Sequence, residues 1–253
     1  KVKQLEEAFK QYFGVKYAMA VNSATSGLHA AVAALDVEPG DEVIVPPYTM
    51  SASAMSILMN NCIPVFVDIT EDTYCLDPKK VETAITPHTR AIVVVHLFGQ
   101  SAEMDEIMAT AKKHNLYVIE DVAQAPAATY KGKYCGTIGD VGVFSLNQHK
   151  TITTGEGGIV VTNNEKIAKK VQLVRNHGEA VVADMEETDI VNILGWNYRM
   201  TETEAAIGIA QFRKLDKLTE YRIKLAEYLT QKLASFSDYF ELPFIPTHNK
   251  HVY

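Results

Sequence analysis

The hydrophobic positions of this 253-residue chain form short continuous runs that alternate with longer amphipathic stretches. The runs are rich in valine and isoleucine, which is typical of strands buried on both faces. They lie at residues 17–21, 42–45, 63–67, 91–95, 116–120 and 141–145. The amphipathic stretches lie at residues 25–35, 51–60, 78–85 and 103–114. Because these stretches have the length of crossover helices, the alternation predicts an α/β fold with a mostly parallel sheet between helices.

After residue 176 the regular alternation of strands and helices ends. A strand at 159–162 and a helix at 164–176 precede an acidic stretch, residues 179–189, that predicts a mobile loop. Residues 201–234 have a helical pattern almost throughout, and Thr201 and Glu204 have the spacing of a capping box.

A helix of this length predicts a bridge between two domains. We expect a large domain at residues 1–214, and a linking helix with the start of a small domain at residues 215–253. The first residue is not methionine and the last residues have the pattern of a new strand. We therefore expect that a longer protein has been truncated at both ends.

Composition excludes several classes of function. The net charge is −7, with 31 acidic and 24 basic residues, which argues against a nucleic-acid binder. Cys62, Cys75 and Cys135 are odd in number and form no C-x-x-C pair, which argues against a disulfide framework and a zinc site and favours the cytoplasm. No apolar run reaches the roughly 20 residues that span a bilayer, so no membrane partner is expected.

Three predicted strand ends carry polar residues, and ligands collect at such ends in parallel sheets. The first is the segment 22–27, where small and hydroxyl residues open a helix. The free amides at a helix start can bind a phosphate. The alternative is that these hydroxyls only cap the helix.

The second strand end carries Glu120 and Asp121. Strand alternation sends these side chains to opposite faces, so one could enter a cleft while the other meets solvent or a helix. An aspartate there could hold a protonated pyridine nitrogen. The alternative is a structural carboxylate that caps the next helix.

The third strand end leads to Lys150, which follows Asp121 by 29 positions and precedes a glycine-rich turn at 155–158. A lysine alone is usually a solvated charge, but a partly buried one can be a nucleophile. Ser145 offers another hydroxyl for a phosphate. A phosphate cradle, an acid and a lysine together are the requirements of pyridoxal 5'-phosphate, so we expect that cofactor to be covalently bound to Lys150.

With these residues the chain resembles the DegT/StrS family of sugar aminotransferases. The segments that carry the resemblance lie at residues 22–29, 40–46, 64–68, 84–92, 96–100, 119–125, 155–158, 175–178 and 197–200, and at Lys150. The family belongs to the pyridoxal phosphate-dependent enzymes of fold type I, so the resemblance implies that fold.

The resemblance also implies roles for individual residues. Lys150 is similar to the Schiff-base lysine, Asp121 to the partner of the ring nitrogen, and Gln124 to a contact of the ring hydroxyl or ring face. Residues similar to phosphate ligands are Ala24, Thr25 and Ser145. Asn197 is similar to a residue that reaches the phosphate in the neighbouring subunit, which implies a homodimer with shared active sites.

Two departures from the family pattern stand out. Met50 occupies the position where the family usually stacks an aromatic residue on the cofactor ring, so the ring would be held less rigidly. The family's small carboxyl-terminal domain would begin near Lys217 and continue past Tyr253, so the substrate contacts of that domain are missing.

The residue at the lysine position separates two reactions. Some relatives carry histidine there and are sugar dehydratases, and this chain has His149 beside Lys150. The spacing to 155–158 places Lys150 at the functional position, which favours transamination from glutamate or glutamine to a keto-sugar. We expect this keto-sugar to be nucleotide-linked. We expect a role in amino-sugar, surface polysaccharide or antibiotic-sugar biosynthesis. The alternatives are a pyridoxal phosphate-dependent sugar dehydratase and a non-catalytic regulatory protein of the same fold.

Three further residues have two interpretations each. Arg199 could bind a carboxylate or diphosphate of the substrate, or form a structural ion pair. His96 and His177 could line the cleft, although packing histidines are the commoner case.

Overall fold

The structure is a computed structural model that describes residues 1–179, 194–236 and 238–252. Its strands in chain order are β1 (Tyr17–Val21), β2 (Glu42–Val45), β3 (Ile63–Phe66), β4 (Thr89–Val95), β5 (Tyr117–Asp121), β6 (Thr129–Tyr130), β7 (Lys133–Tyr134), β8 (Val141–Ser145), β9 (Gly158–Thr162) and β10 (Asn249–Lys250). A seven-stranded sheet has the order β1-β9-β8-β5-β4-β2-β3. Among the described residues of this sheet, β9 pairs antiparallel with β1 and β8, and the remaining pairs are parallel. The predicted α/β fold with a mostly parallel sheet is confirmed.

Helices cover this sheet with two separate apolar clusters. The helices are α1 (Val2–Phe13), α2 (Ala24–Ala33), α3 (Ser51–Leu58), α4 (Pro78–Val81), α5 (Met104–His114), α6 (Glu165–Arg175), α7 (Glu202–Phe212) and α8 (Leu215–Leu233). One cluster joins α2, α3, α5 and α6 to the central strands, and the other joins α1 and α7 to β8 and β9. This two-sided cover explains why the central strands are apolar on both faces.

An aromatic group braces β8 close to its carboxyl end. The ring of Phe9 in α1 stacks on Phe212 in α7 with centroids 4.3 Å apart, and it meets Phe144 edge-on at 5.8 Å. Phe144 directly precedes Ser145, the last residue of β8. Since aromatic contacts and burial both stabilise such a group, it holds this strand end firmly in the fold.

Three elements differ from the prediction. The helix expected at 78–85 is one turn, α4, followed by a 3₁₀ turn at Glu82–Ala84. The long helix expected at 201–234 breaks between Phe212 and Leu215, and the break lets Leu215 return to the core while most of α8 stays exposed. The strand at 63–67 was expected to be buried, but β3 is an edge strand that pairs with β2 alone and leaves Ile63 and Phe66 exposed.

A second, three-stranded sheet in the order β10-β6-β7 was not predicted. Each of its strands has two residues, too few for a periodic pattern. The predicted loop at 179–189 lies, apart from Glu179, outside the described residues. Among the residues that are described, no helix combines the length and the apolar character needed to cross a membrane.

Candidate active site

Three strand ends meet beside the start of α2. Val21 at the end of β1 pairs with Gly158 at the start of β9, and Gly158 pairs with Ser145 at the end of β8. A Cβ atom added to Gly158 would lie 2.8 Å from the backbone nitrogen of Ala24. Glycine therefore allows β9 to pass close to the first turn of α2, and the predicted phosphate residues Ala24 and Ser145 lie on either side of it.

The start of α2 is capped, yet part of it stays available. Ser23 accepts a hydrogen bond from the backbone N–H of Ser26 at 3.1 Å, so the capping alternative is correct for Ser23. The backbone N–H groups of Ala24 and Thr25 donate to no acceptor within the described residues. Since these amides lie at the positive end of a helix, capping and anion binding can coexist here.

Asp121 is buried at the end of β5, where two donors hold its carboxylate. Ser53 Oγ donates to Oδ2 at 2.8 Å and the backbone N–H of Ala123 donates to Oδ1 at 3.1 Å. Burial raises the pKa of Asp121, although both hydrogen bonds and the nearby Lys150 ammonium oppose this rise. No helix begins at residues 122–128, so the helix-capping alternative for Asp121 is wrong.

Glu120, the neighbouring acid, binds a loop on the other side of the strand. Its carboxylate accepts from the backbone N–H groups of Gly136, Ile138 and Gly139 at 2.6–2.7 Å, and it lies 2.9 Å from His96 Nε2. We expected the second acid to meet solvent or a helix, and this expectation is wrong because Glu120 is fully buried against that loop. His96 is correspondingly a buried packing histidine.

Lys150 lies in a loop that Asn147 organises. The Asn147 carbonyl accepts from the Lys150 backbone N–H at 2.9 Å, and its side chain bonds the backbone of His149 and the carboxylate of Glu156. The side chain of Lys150 is half-buried, whereas His149 is exposed. Burial lowers the pKa of Lys150, while the carboxylate of Asp121 raises it. The net lowering increases the neutral, nucleophilic fraction of this amine.

The remaining predicted residues surround these groups or lie apart from them. Gln124 Oε1 accepts from the backbone N–H of Phe98 at 2.9 Å, which leaves its Nε2 as a donor. Met50 is exposed at the start of α3. Asn197 is also exposed, and its segment lies against the cradle because the backbone N–H of Asn22 donates to the carbonyl of Tyr198 at 2.8 Å.

Arg199 and His177 are exposed, and neither forms an ion pair within the described residues. Sequence reasoning missed Ser53 and Asn147. Both are polar residues whose partners lie far away or in an irregular loop, and the pattern of the chain gives no signal for either contact.

Comparison with known proteins agrees with the fold and with the motifs. All residues, 1–253, match the DegT/DnrJ/EryC1/StrS aminotransferase family. The chain is 44% identical over 250 residues to GDP-perosamine synthase from Caulobacter vibrioides, covering 99% of this chain and 66% of that protein. It thus spans slightly less than two thirds of this relative.

Solved structures give the same result. An aminotransferase from Psychrobacter cryohalolentis superposes with a TM-score of 0.93 at 38% identity, covering 100% of this chain and 67% of the other. The protein NtdA from Bacillus subtilis with bound cofactor PMP superposes with a TM-score of 0.89 at 34% identity, covering 99% and 56%. The chain therefore belongs to the DegT/DnrJ/EryC1/StrS aminotransferase family.

Proposed function

We propose that this chain is the cofactor-binding part of a pyridoxal phosphate-dependent aminotransferase that moves an amino group from glutamate or glutamine to a nucleotide-linked keto-sugar. The observation that carries the proposal is the half-buried Lys150 beside the buried carboxylate of Asp121, next to the cradle at α2. The similarity to a GDP-perosamine synthase supports the sugar substrate, and the similarity to NtdA with bound PMP supports the cofactor. We expect a role in amino-sugar, surface polysaccharide or antibiotic-sugar biosynthesis.

The residues present fit this cofactor. The amides of Ala24 and Thr25 with the hydroxyl of Ser145 would hold the phosphate, beside Gly158, where an added Cβ atom would lie 2.8 Å from the backbone nitrogen of Ala24. Asp121 would hold the ring nitrogen. Gln124 would donate from Nε2 to the ring oxygen, and Met50 would lie against the ring face.

Lys150 has two tasks in the proposed reaction. When bound, pyridoxal phosphate supplies an electrophilic carbon and an electron sink. The Lys150 Nζ atom would hold that carbon covalently, with loss of a water molecule, and as a free amine it would carry a proton to or from the substrate. Because the half-buried lysine and not the exposed His149 faces Asp121, transamination is favoured over dehydration.

The active site is shared between two copies of the chain in this proposal. Large apolar side chains are exposed on α3, directly after it and on the edge strand β3, which α3 contacts. Together they are here called the apolar face: Met55, Leu58, Met59, Ile63 and Phe66. Such a face is typical of a protein–protein interface, so a homodimer would cover it. Asn197, exposed beside the cradle, would then reach the phosphate bound to the partner subunit.

The proposed domain boundary lies between residues 214 and 215. Helix α8 exposes an apolar stripe on one side, formed by Tyr221, Leu225, Tyr228 and Leu229. These residues have helical spacing, which favours a second structural unit, the small domain, packed against α8.

The three cysteines are free and buried, which supports the proposal that the protein works in the reducing cytoplasm.

The test uses the full-length protein, reduced with borohydride and digested for peptide mapping. We expect the cofactor label on Lys150 in the native protein and in a His149→Ala control, and no label in Lys150→Ala. A separate, unreduced sample of the native protein, treated with glutamate so that the cofactor is aminated, should aminate a nucleotide keto-sugar.

A label on another residue would contradict the cofactor assignment. Loss of water from the sugar without amino transfer would favour the dehydratase. Binding of the cofactor without reaction with any amino donor would favour the regulatory protein.

A further inference from the structure

Ser53 is a fully buried serine in the first turn of α3, and its hydroxyl donates a hydrogen bond to a residue outside this helix. Serine hydroxyls inside helices usually bond a nearby carbonyl of the same helix. Ser56 does this, because its Oγ donates to the carbonyl of Ser53 at 2.8 Å. Ser53 Oγ instead reaches Asp121 Oδ2 at 2.8 Å, a residue 68 positions away in the chain. This contact is therefore a tertiary bond to the carboxylate.

The direction of this hydrogen bond is determined by chemistry. An ionised carboxylate only accepts, so the Ser53 hydroxyl must donate to Asp121. The oxygen of Ser53 then accepts from the Thr49 hydroxyl, 2.9 Å away. The result is a chain of donors from Thr49 through Ser53 to Asp121, and each bond in such a chain polarises the next.

The carboxylate needs these donors because its surroundings disfavour its charge. Asp121 is buried, and burial alone would favour the neutral acid. A neutral acid could not balance the charge of a protonated ring nitrogen. Ser53 and the backbone N–H of Ala123 occupy one carboxylate oxygen each, which fixes the plane of the group as well as its charge.

We propose that Ser53 is a positioning residue, which keeps Asp121 ionised and oriented toward the ring nitrogen of the cofactor. The proposal rests on the proposed function, since it assumes that Asp121 binds that nitrogen. Ser53 itself does not touch the ring.

The first test measures Asp121 in the full-length protein without cofactor. The carboxyl carbons of aspartate are labelled with carbon-13, and the Asp121 signal is identified by its loss in Asp121→Asn. We expect the pKa of Asp121 to be higher in Ser53→Ala than in the native protein, because one donor to the anion is lost. The charged groups that face Asp121 are Lys150 and His96, and the substitution leaves both unchanged.

Ser56→Ala is the matched control, since it removes a buried hydroxyl from the same helix without touching Asp121. It should leave the pKa of Asp121 as in the native protein. Thermal unfolding of both variants checks that the fold is retained. An unchanged Asp121 pKa in a folded Ser53→Ala would overturn the proposal, whatever the cofactor does.

The second test measures binding of pyridoxal phosphate to the same proteins as a function of pH. Hydrogen bonds to a charged acceptor are strong enough that Ser53→Ala should weaken binding by about tenfold or more at neutral pH. The loss should shrink as the pH rises and Asp121 ionises in the variant. If the pKa rises but binding is unchanged, Asp121 does not hold the ring nitrogen, and the inference fails together with that part of the proposed function.

Discussion

The buried carboxyl of Asp121 affects the stability of the cofactor-free protein and the binding of the cofactor in opposite directions. This carboxyl has a pKa raised above the value of an unfolded chain, mainly because burial penalises the charge. Because the pKa is higher in the folded state, the protonated Asp121 carboxyl contributes to the free energy of unfolding. This contribution is fully present below the pKa of the unfolded chain, about 3.9, and is lost as the pH rises through the pKa of the folded protein. The ionised Asp121 therefore destabilises the cofactor-free protein at neutral pH, and a protonated ring nitrogen bound beside it would offset this effect.

Replacing this carboxyl should stabilise the cofactor-free protein. We expect Asp121→Asn to increase the free energy of unfolding at pH 7.5 and to increase it less at pH 4, because the folded Asp121 takes up a proton as the pH falls. Urea unfolding of the cofactor-free protein at the two pH values measures this. With pyridoxal phosphate present, the native protein should be more stable than Asp121→Asn, because asparagine cannot balance the charge of the ring.

Asp68→Asn serves as the control. The pKa of the exposed Asp68 is lowered, first by its hydrogen bond with Lys80, so its removal should give no gain in stability at pH 7.5. An Asp121→Asn variant that is less stable than the native protein at pH 7.5 would contradict the expected sign.

Among the elements, the antiparallel strand β9 controls the shape of the cradle. Its first residue, Gly158, lies against the backbone of Ser23 and Ala24, which cannot move away without displacing α2. We expect Gly158→Ala to lower the free energy of unfolding by about 1–3 kcal/mol, as overpacking does. It should also abolish phosphate binding at the cradle, measured with pyridoxal phosphate in the full-length protein.

Gly40→Ala separates the two effects. Gly40 has a φ of 91°, and a Cβ atom added there would meet nothing within 4 Å, so alanine strains the backbone without crowding a neighbour. This control should lose stability but keep its affinity for pyridoxal phosphate. Equal losses of affinity in both variants would mean that the cradle is not the phosphate site.

The elements also show what the sequence could predict. The central strands were predictable because residues 91–95 of β4 and 118–119 of β5 are buried and apolar. The division into α7 and α8 was not, because the sequence between Phe212 and Leu215 contains no glycine or proline and the break depends on tertiary packing of Leu215. The contact of Ser53 with Asp121 could not be predicted either, because it also depends on tertiary packing.

At the scale of the whole molecule, the proposed dimer makes each site depend on two chains. We expect Lys150→Ala and Asn197→Asp to be inactive alone, the second because it places a negative charge against the phosphate. When the two variants are mixed and reassembled, each mixed dimer contains one site with both native residues. Aminotransferase assays should recover about a quarter of the native activity, the share expected from random pairing.

Mixing Lys150→Ala with Asp121→Asn is the matched control. Both residues act within one subunit in the proposal, so no mixed dimer has an intact site and no activity should return. Recovery in this control, or none in the first mixture, would contradict a site completed by Asn197 of the partner subunit.

The pairing of β1 with β9 has a consequence for synthesis of the chain. In the seven-stranded sheet β1 is an edge strand that pairs with β9, although the two strands are some 140 residues apart. A nascent chain that ends before Gly158 has the helix start of the cradle but lacks the strand that closes it. Because a ligand stabilises only the form that binds it, pyridoxal phosphate cannot assist the early strands during translation. It can capture the protein only after the ribosome has released β9.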